Sequence, residues 1–232
     1  MKRTTVAKSW PAVAACVVFI GLEAAAEPAG KGTPTTAGTS IAIQSVLSMA
    51  SGPATTQTIA QIQDTLRGNE RIAVAFALKN IGSSDSHVDR GCIRIMTALE
   101  QETLDQYMTK NQSGLGLDDQ DKRALGRWGR YVNSPAAMHL VIVSLLDDTN
   151  AAEDVDARMV GERRRFCDVA FNLAIDRIEG LSEIVGKTPL GTLDTIDARN
   201  ERLARFRQWW KLNGETLERS EDGKRFRGKT SQ

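Results

Sequence analysis

Histidine and cysteine are scarce in this chain, and their scarcity removes several kinds of catalytic site. Among 232 residues there are 2 histidines and 3 cysteines. Neither His87 nor His139 belongs to a metal-binding spacing such as H-E-x-x-H, and no Cys-x-x-Cys pair occurs. The sequence therefore predicts no catalytic residue, no cofactor-binding residue and no metal ligand.

The chain also lacks a strong charge of one sign. Its 30 basic and 29 acidic residues give a formal net charge of +1. Such a balance produces no overall field that would attract nucleic acid or an anionic membrane surface. We therefore expect no nucleic-acid partner.

No transmembrane span is predicted at the N-terminus, although an apolar run lies there. The run WPAVAACVVFIGL, residues 10–22, is shorter than the roughly 20 residues that a spanning helix needs. Lys2, Arg3 and Lys8 precede it and three alanines ending at Ala26 follow it. This order is typical of a cleaved export signal over residues 1–26. It predicts an exported bacterial protein, periplasmic or secreted, with no stable membrane span after cleavage.

An alternative interpretation of the same segment is a lipid anchor. Residues 13–16, Val-Ala-Ala-Cys, resemble a bacterial lipoprotein box in which Cys16 would become the lipidated first residue. The strongest apolar residues, 17–20, lie after Cys16, where the apolar region of a lipoprotein signal should already have ended. Soluble export is therefore the favoured prediction.

Beyond the signal, apolar spacing is helical and no strand pattern extends over more than a few residues. Residues 27–40 are rich in Gly, Pro and Thr and are predicted to form a flexible linker. Residues 41–213 are predicted to form an all-α domain, an irregular stack of helical hairpins or a bundle. The predicted helices cover about residues 41–50, 53–67, 72–81, 92–110, 118–132, 136–146, 157–179 and 197–212.

Two of these predictions depend on helix-capping residues. Asp118 or Asp119 can begin one helix, and Ser134 followed by Pro135 can begin the next. The run HLVIVSLL after Pro135 could be a buried strand on its β-propensity, but its helical start favours a helix. Residues 214–232 are predicted to be a charged, disordered tail. They match the phosphate-loop pattern G-x-x-x-x-G-K-T without the preceding strand that such a loop requires.

The two cysteines outside the signal, Cys92 and Cys167, lie on apolar stripes of predicted helices. Buried cysteines behave as small hydrophobic residues, so inert core thiols are favoured over a disulfide bridge. The cluster Arg163 to Arg165 could lower the pKa of Cys167 and activate it as a nucleophile. A solvated helical face that pairs with nearby acids is the favoured interpretation of these arginines.

Two stretches, RRFCDVAFNLA and RLARFRQWWKLNG, together with the preceding LVIVSLLDD, resemble a known class of protein. They resemble the C-terminal part of exported bacterial proteins with HEAT-like helical repeats, over roughly residues 140–214. These relatives are mostly uncharacterised. The resemblance implies a helical stack, export from the cytoplasm and a role as a scaffold or interaction surface.

The motif RFRQWWKLNG near the C-terminus places two tryptophans side by side. Phe206 and Trp210 share the apolar face of the last helix and are predicted to anchor it to the rest of the fold. Trp209, partly exposed beside Arg205 and Lys211, is the alternative candidate for a partner-binding residue.

Arg165 and Asp168 complete the candidate partner-binding set. In one interpretation Asp168 forms a surface ion pair of little energetic weight. In the other, Arg164 or Arg165 and Asp168 connect their helix to its neighbour. The sequence thus predicts an exported scaffold or protein-interaction module with a partner in the cell envelope. The alternative is a small-ligand carrier or enzyme with a site in the helical groove that has no sequence signature.

Overall fold

The computed structural model describes residues 36–49, 55–112, 116–152, 164–191 and 194–228. Within these ranges the chain forms ten α-helices, and the predicted all-α class is confirmed. The helices are α1 (Thr36–Met49), α2 (Thr56–Leu66), α3 (Glu70–Asn80), α4 (Ser86–Ala98), α5 (Glu100–Gln112), α6 (Asp119–Trp128), α7 (Pro135–Leu146), α8 (Phe166–Arg177), α9 (Leu181–Val185) and α10 (Ile196–Asn213). The predicted signal segment, Cys16 included, lies outside the described residues.

One continuous apolar core joins these helices, with members from Ile43 in α1 to Phe226 near the C-terminus. The most extensive pairings join helices that are neighbours in sequence, α3 with α4 and α7 with α8, while α1 packs on both α2 and α4. A chain that buries short helices against their sequence neighbours forms a helical stack or bundle. In the part of the chain that the structure describes, no helix is long and apolar enough to cross a membrane.

The predicted caps of α6 and α7 are confirmed. The Asp118 carboxylate accepts a hydrogen bond from the backbone N–H of Asp121, and the Asp121 side chain accepts one from the backbone N–H of Asp118. The Ser134 hydroxyl accepts from the Ala137 N–H, and Pro135 occupies the first helical position. These local bonds satisfy N–H groups that a helix leaves without partners at its start. The run HLVIVSLL is therefore helical.

The long helix predicted over residues 92–110 is wrong, because the chain breaks at Leu99 into α4 and α5. Glu100 begins α5, and its carboxylate accepts hydrogen bonds from the backbone N–H groups of Asn133 and Ser134 at 2.6 and 2.7 Å. The break thus allows the start of α5 to bind the loop before α7. Because that partner lies more than thirty residues away in the sequence, the periodicity of residues 92–110 contains no sign of it.

Other predicted boundaries also differ from the structure. Helix α8 begins at Phe166 with Arg165 at its N-cap, so residues 164 and 165 are not part of the helix predicted over 157–179, and residues 157–163 lie outside the described residues. The short helix α9 lies between the predicted helices 157–179 and 197–212, where no helix was predicted. At the N-terminal end, α1 begins at Thr36, so residues 36–40 are helical and not a linker.

The prediction of a disordered tail is wrong for residues 214–228. After a 3-10 turn at Gly214–Thr216, the strands β1 (Glu218–Arg219) and β2 (Phe226–Arg227) pair antiparallel. Leu217 and Phe226, the two large apolar residues of this segment, are 7% and 1% exposed. Burial of these two side chains in a polar sequence stabilises the fold of a segment whose composition alone indicates disorder.

Candidate functional site

The last long helix, α10, carries most of the candidate site. Thr195 caps its start, accepting from the Ala198 N–H. Its buried side chains recur at intervals of three and four residues, which places them on one face. They are Arg199, Leu203, Phe206 and Trp210.

Trp210 anchors the end of α10, as predicted. Its indole stacks on the His139 ring of α7 at 5.6 Å between centroids and meets Phe206 edge-on at 5.8 Å. A Cβ atom built on Gly214 would lie 2.6 Å from the indole, so the backbone must approach the ring closely at this point. The Gly214 carbonyl also lies 2.9 Å from Nδ1 of His139. His139 is therefore a partly buried residue whose ring nitrogen has a hydrogen-bond partner.

Trp209 is half-buried, and its position differs from that of Trp210. Its ring centroid lies 6.3 Å from that of Trp210, and its six-membered ring faces Gly228. Leu212, on the same side of α10, is 74% exposed, more than any other large apolar side chain in the described ranges. Arg205 and Lys211 are also exposed. Arg205, Gln208, Trp209, Lys211 and Leu212 are called the α10 surface below.

Asp168 is fully buried, which corrects its placement among surface residues. Its carboxylate accepts hydrogen bonds from two guanidinium groups, Nη2 of Arg165 at 3.0 Å and Nη1 of Arg199 at 3.2 Å. It also accepts from the backbone N–H of Arg165 at 3.0 Å, in the first turn of α8. The side chains of Asp168 and Arg199 are both 1% exposed. Each charge therefore depends on the other for compensation.

Arg165 extends this connection to α10. Its Nη1 donates to the Asn200 side chain at 2.9 Å, and its own side chain is 12% exposed. The hypothesis that Arg165 and Asp168 connect their helix to a neighbour is therefore consistent with the geometry. Asp168, at 1% exposed, offers a partner almost no surface, whereas Arg165 keeps a partly exposed side chain and its place in the partner-binding set stays a prediction.

Arg199 is the residue that sequence reasoning missed. A signal was present, because Arg199 lies four residues before Leu203 and thus on the apolar stripe of α10. A basic residue at a core position requires a buried acid. Which acid that is follows only from the structure, in which Asp168 is the partner.

Other arginines in this region hold loops to helices rather than facing a partner. The Arg202 guanidinium donates to the carbonyls of Val185 and Gly186, and lies over the Phe171 ring at 4.9 Å. Arg207 donates to Leu146 and Asp147 at the end of α7. Burial lowers the pKa of Arg202 from its ordinary value. The high arginine content of α10 therefore reflects internal contacts to a large extent.

Comparison with known proteins gives no relative for this chain. No family model, no curated protein and no solved structure matches it. The resemblance of residues 140–214 to exported HEAT-like proteins therefore stays a prediction from the sequence motifs. What the site can do follows from its own geometry.

A cleft of about 320 Å³ lies between α3, α5 and the start of α6, away from α10 in the sequence. The Lys110 ammonium pairs with Asp121 at its edge, and the Gln120 amide donates to the Lys79 carbonyl at 3.1 Å. The lining residues are Ala75, Leu78, Lys79, Gln106, Tyr107, Lys110, Asp118, Gln120 and Asp121. In the described ranges, no group of three or more His, Cys, Asp or Glu residues could hold a metal ion.

The two thiols, Cys92 and Cys167, are free and buried, which agrees with the favoured prediction of core residues. Burial, with a smaller effect of the Asp89 charge, raises the pKa of Cys92 to about 12. Burial and the neighbouring Asp168 charge raise the pKa of Cys167 as well. Because the thiolate is the nucleophile, neither residue is activated near neutral pH.

We therefore expect both thiols to resist alkylation in the folded protein. At about pH 8, a thiol with the pKa of Cys92 is ionised in only about one molecule in ten thousand. Iodoacetamide labelling followed by peptide mass mapping should give no adduct at Cys92 or Cys167 in buffer and adducts at both in denaturant. Rapid labelling of Cys167 in buffer would contradict this prediction and restore the catalytic-cysteine alternative.

Proposed function

We propose that this protein is an exported helical scaffold that binds a protein partner in the cell envelope through the α10 surface. The observation that carries the proposal is the exposure of Leu212 beside the half-buried ring of Trp209. Binding hot spots combine a large aromatic anchor with apolar and arginine neighbours. Arg205, four residues before Trp209, provides that basic neighbour on the same side of the helix.

The charges of the α10 surface are available to a partner. Arg205 pairs with Glu201, and both side chains are more than half exposed, so this pair has little energetic weight. The Arg205 guanidinium can leave Glu201 and pair with an acidic group of the partner, at a small cost in free energy. The arginines at positions 199, 202 and 207 have internal partners and contribute to the scaffold instead.

The test is affinity purification of the C-terminally tagged protein from its native envelope after mild crosslinking. We expect a specific partner with the wild type and at least a tenfold loss with Trp209→Ala, since a hot-spot truncation costs about 2 kcal/mol or more. Tyr131→Ala, which truncates an exposed aromatic side chain outside the α10 surface, is the matched control and should retain the partner. Circular dichroism checks that both variants fold.

Two outcomes would count against the interaction module. One is the absence of a partner with the wild type, and the other is equal capture by wild type and Trp209→Ala. The intact mass of the same purified sample tests export. A mature chain that begins at Glu27 supports cleavage after Ala26, a lipid-modified chain that begins at Cys16 supports the anchor, and an unprocessed chain contradicts both.

The cleft between α3, α5 and α6 favours one alternative, a carrier of a small polar ligand. Its volume of about 320 Å³ suits a small molecule, and it offers both ammonium and carboxylate groups. Native mass spectrometry of the purified protein distinguishes the alternatives. A bound ligand that dissociates from a Lys110→Ala variant would support the carrier.

A further inference from the structure

The C-terminal hairpin, residues 217–228, is held in place by the helices on which it lies. Its two strands have two residues each. Isolated two-stranded hairpins are at best marginally stable in water, even when they are longer than this one. The body of the protein must therefore provide most of the free energy that orders these residues.

Phe226 is the central contact between the hairpin and the helices. Its ring is 1% exposed and lies under the Arg177 guanidinium at 5.5 Å from the ring centroid. Its backbone carbonyl accepts a hydrogen bond from the Glu179 N–H at 2.8 Å, and the backbone at Ile178 bridges to Phe226 in parallel. A buried aromatic side chain and main-chain pairing are two features of peptide recognition by strand addition, and here the pairing is with the segment that follows α8.

Gly228 adds a steric requirement two residues after Phe226. A Cβ atom at this position would lie 2.9 Å from Oδ1 of Asn213 and 3.1 Å from the Trp209 ring. The backbone of any segment in this place must approach the indole closely. Glycine therefore fits better than residues with a side chain.

We propose that Arg177, Ile178, Glu179, Trp209 and Asn213 form a peptide-binding groove for extended segments of the form Phe-x-Gly. In the free protein the groove is filled by the chain's own Phe226-Arg227-Gly228. A partner protein with an exposed Phe-x-Gly segment displaces the hairpin. This inference rests on the proposed interaction function and names the class of partner that the Trp209 side of the fold accepts.

The hairpin is also stabilised by hydrogen bonds within its turn, and these bonds involve no groove residue. The hairpin can therefore be weakened while the groove stays intact. The Ser220 hydroxyl lies in donor geometry to the Asp222 carboxylate at 2.6 Å and to the Arg225 carbonyl at 3.0 Å, and it accepts from the Arg225 N–H at 3.0 Å. A change at Ser220 therefore weakens the hairpin and leaves every groove residue in place. A change at Phe226 removes the central contact and leaves the groove empty.

The experiment uses a fluorescent peptide with the sequence of residues 217–228 and the full-length protein. Peptide binding is measured by anisotropy for wild type, Phe226→Ala, Ser220→Ala and the exposed turn control Lys224→Ala. The tethered hairpin competes at a high effective concentration, so wild type should bind the peptide at least about tenfold more weakly than Phe226→Ala. Ser220→Ala should lie between them, and Lys224→Ala should equal wild type.

Two altered peptides test the recognised pattern. A peptide with Phe226→Ala, and one with Gly228→Val, should each bind the Phe226→Ala protein at least about tenfold more weakly than the unaltered peptide. A folded Phe226→Ala protein that does not bind the unaltered peptide would overturn the proposal. If circular dichroism shows that Phe226→Ala is unfolded, the Ser220→Ala protein provides the test. If it binds the unaltered peptide no more tightly than wild type does, the proposal is overturned.

The groove and the proposed function can fail separately. Capture of an envelope partner that Trp209→Ala abolishes, together with no peptide binding to the opened variants, would keep the interaction module and remove the groove. Peptide binding without any captured partner would keep the groove and remove the envelope scaffold.

Discussion

Replacing Asp168 with alanine should lower the free energy of unfolding by about 3–5 kcal/mol, because the change leaves a buried guanidinium without its acid. Arg199 is 1% exposed, and its Nη1 lies 3.2 Å from the Asp168 carboxylate. The same change removes the acceptor of the Arg165 N–H at the start of α8. Chemical denaturation followed by circular dichroism measures the loss.

Glu201→Ala is the matched control for this change. It removes a carboxylate from another arginine pair, with Arg205, but both partners are exposed, so the loss should stay below about 1 kcal/mol. The double variant Asp168→Ala with Arg199→Met should recover part of the lost stability, because apolar replacement removes the buried positive charge whose acid is lost. An Asp168→Ala protein as stable as wild type would show that the buried pair does not hold α8 to α10.

Trp210→Ala should lower the free energy of unfolding by about 3–5 kcal/mol, the range for truncation of a large core aromatic. The indole contacts the His139 ring, the Phe206 ring and the backbone at Gly214. Its loss leaves a cavity at the junction of α7 and α10 that these neighbours cannot fill. Urea titration with circular dichroism detection measures the change.

The adjacent residue Trp209 provides the comparison. Its ring is half-buried and lies beside both the Trp210 ring and Gly228 of the C-terminal hairpin, so Trp209→Ala should cost less than about 2 kcal/mol. Under the proposed function, the Trp209→Ala variant instead loses binding to the protein partner. Equal destabilisation by the two changes would contradict the assignment of Trp210 as the anchor and Trp209 as the contact residue.

Features that depend on residues close in sequence were predicted well. The caps at Asp118 and Ser134 are confirmed because the hydrogen-bonding groups lie within three residues of each other. The roles of Trp210 and Phe206 follow from helical spacing in the same way. The exported, partner-binding character stays a prediction, since it depends on residues 1–26 and on molecules outside this chain.

The amino-acid sequence by itself thus determined the all-α class, the starts of α6, α7 and α10 and the aromatic anchor of α10, because short-range periodicity and capping bonds specify them. Only the tertiary structure decided that Asp168 is buried, that Leu99 interrupts a helix and that residues 217–228 fold. Each of these depends on a distant partner: Arg199 for Asp168, the loop before α7 for Glu100, and Arg177 with Glu179 for Phe226. A local pattern contains no information on which distant group will lie within hydrogen-bonding distance. The burial of Asp168 and the main-chain pairing of Phe226 therefore follow only from the tertiary arrangement of the helices.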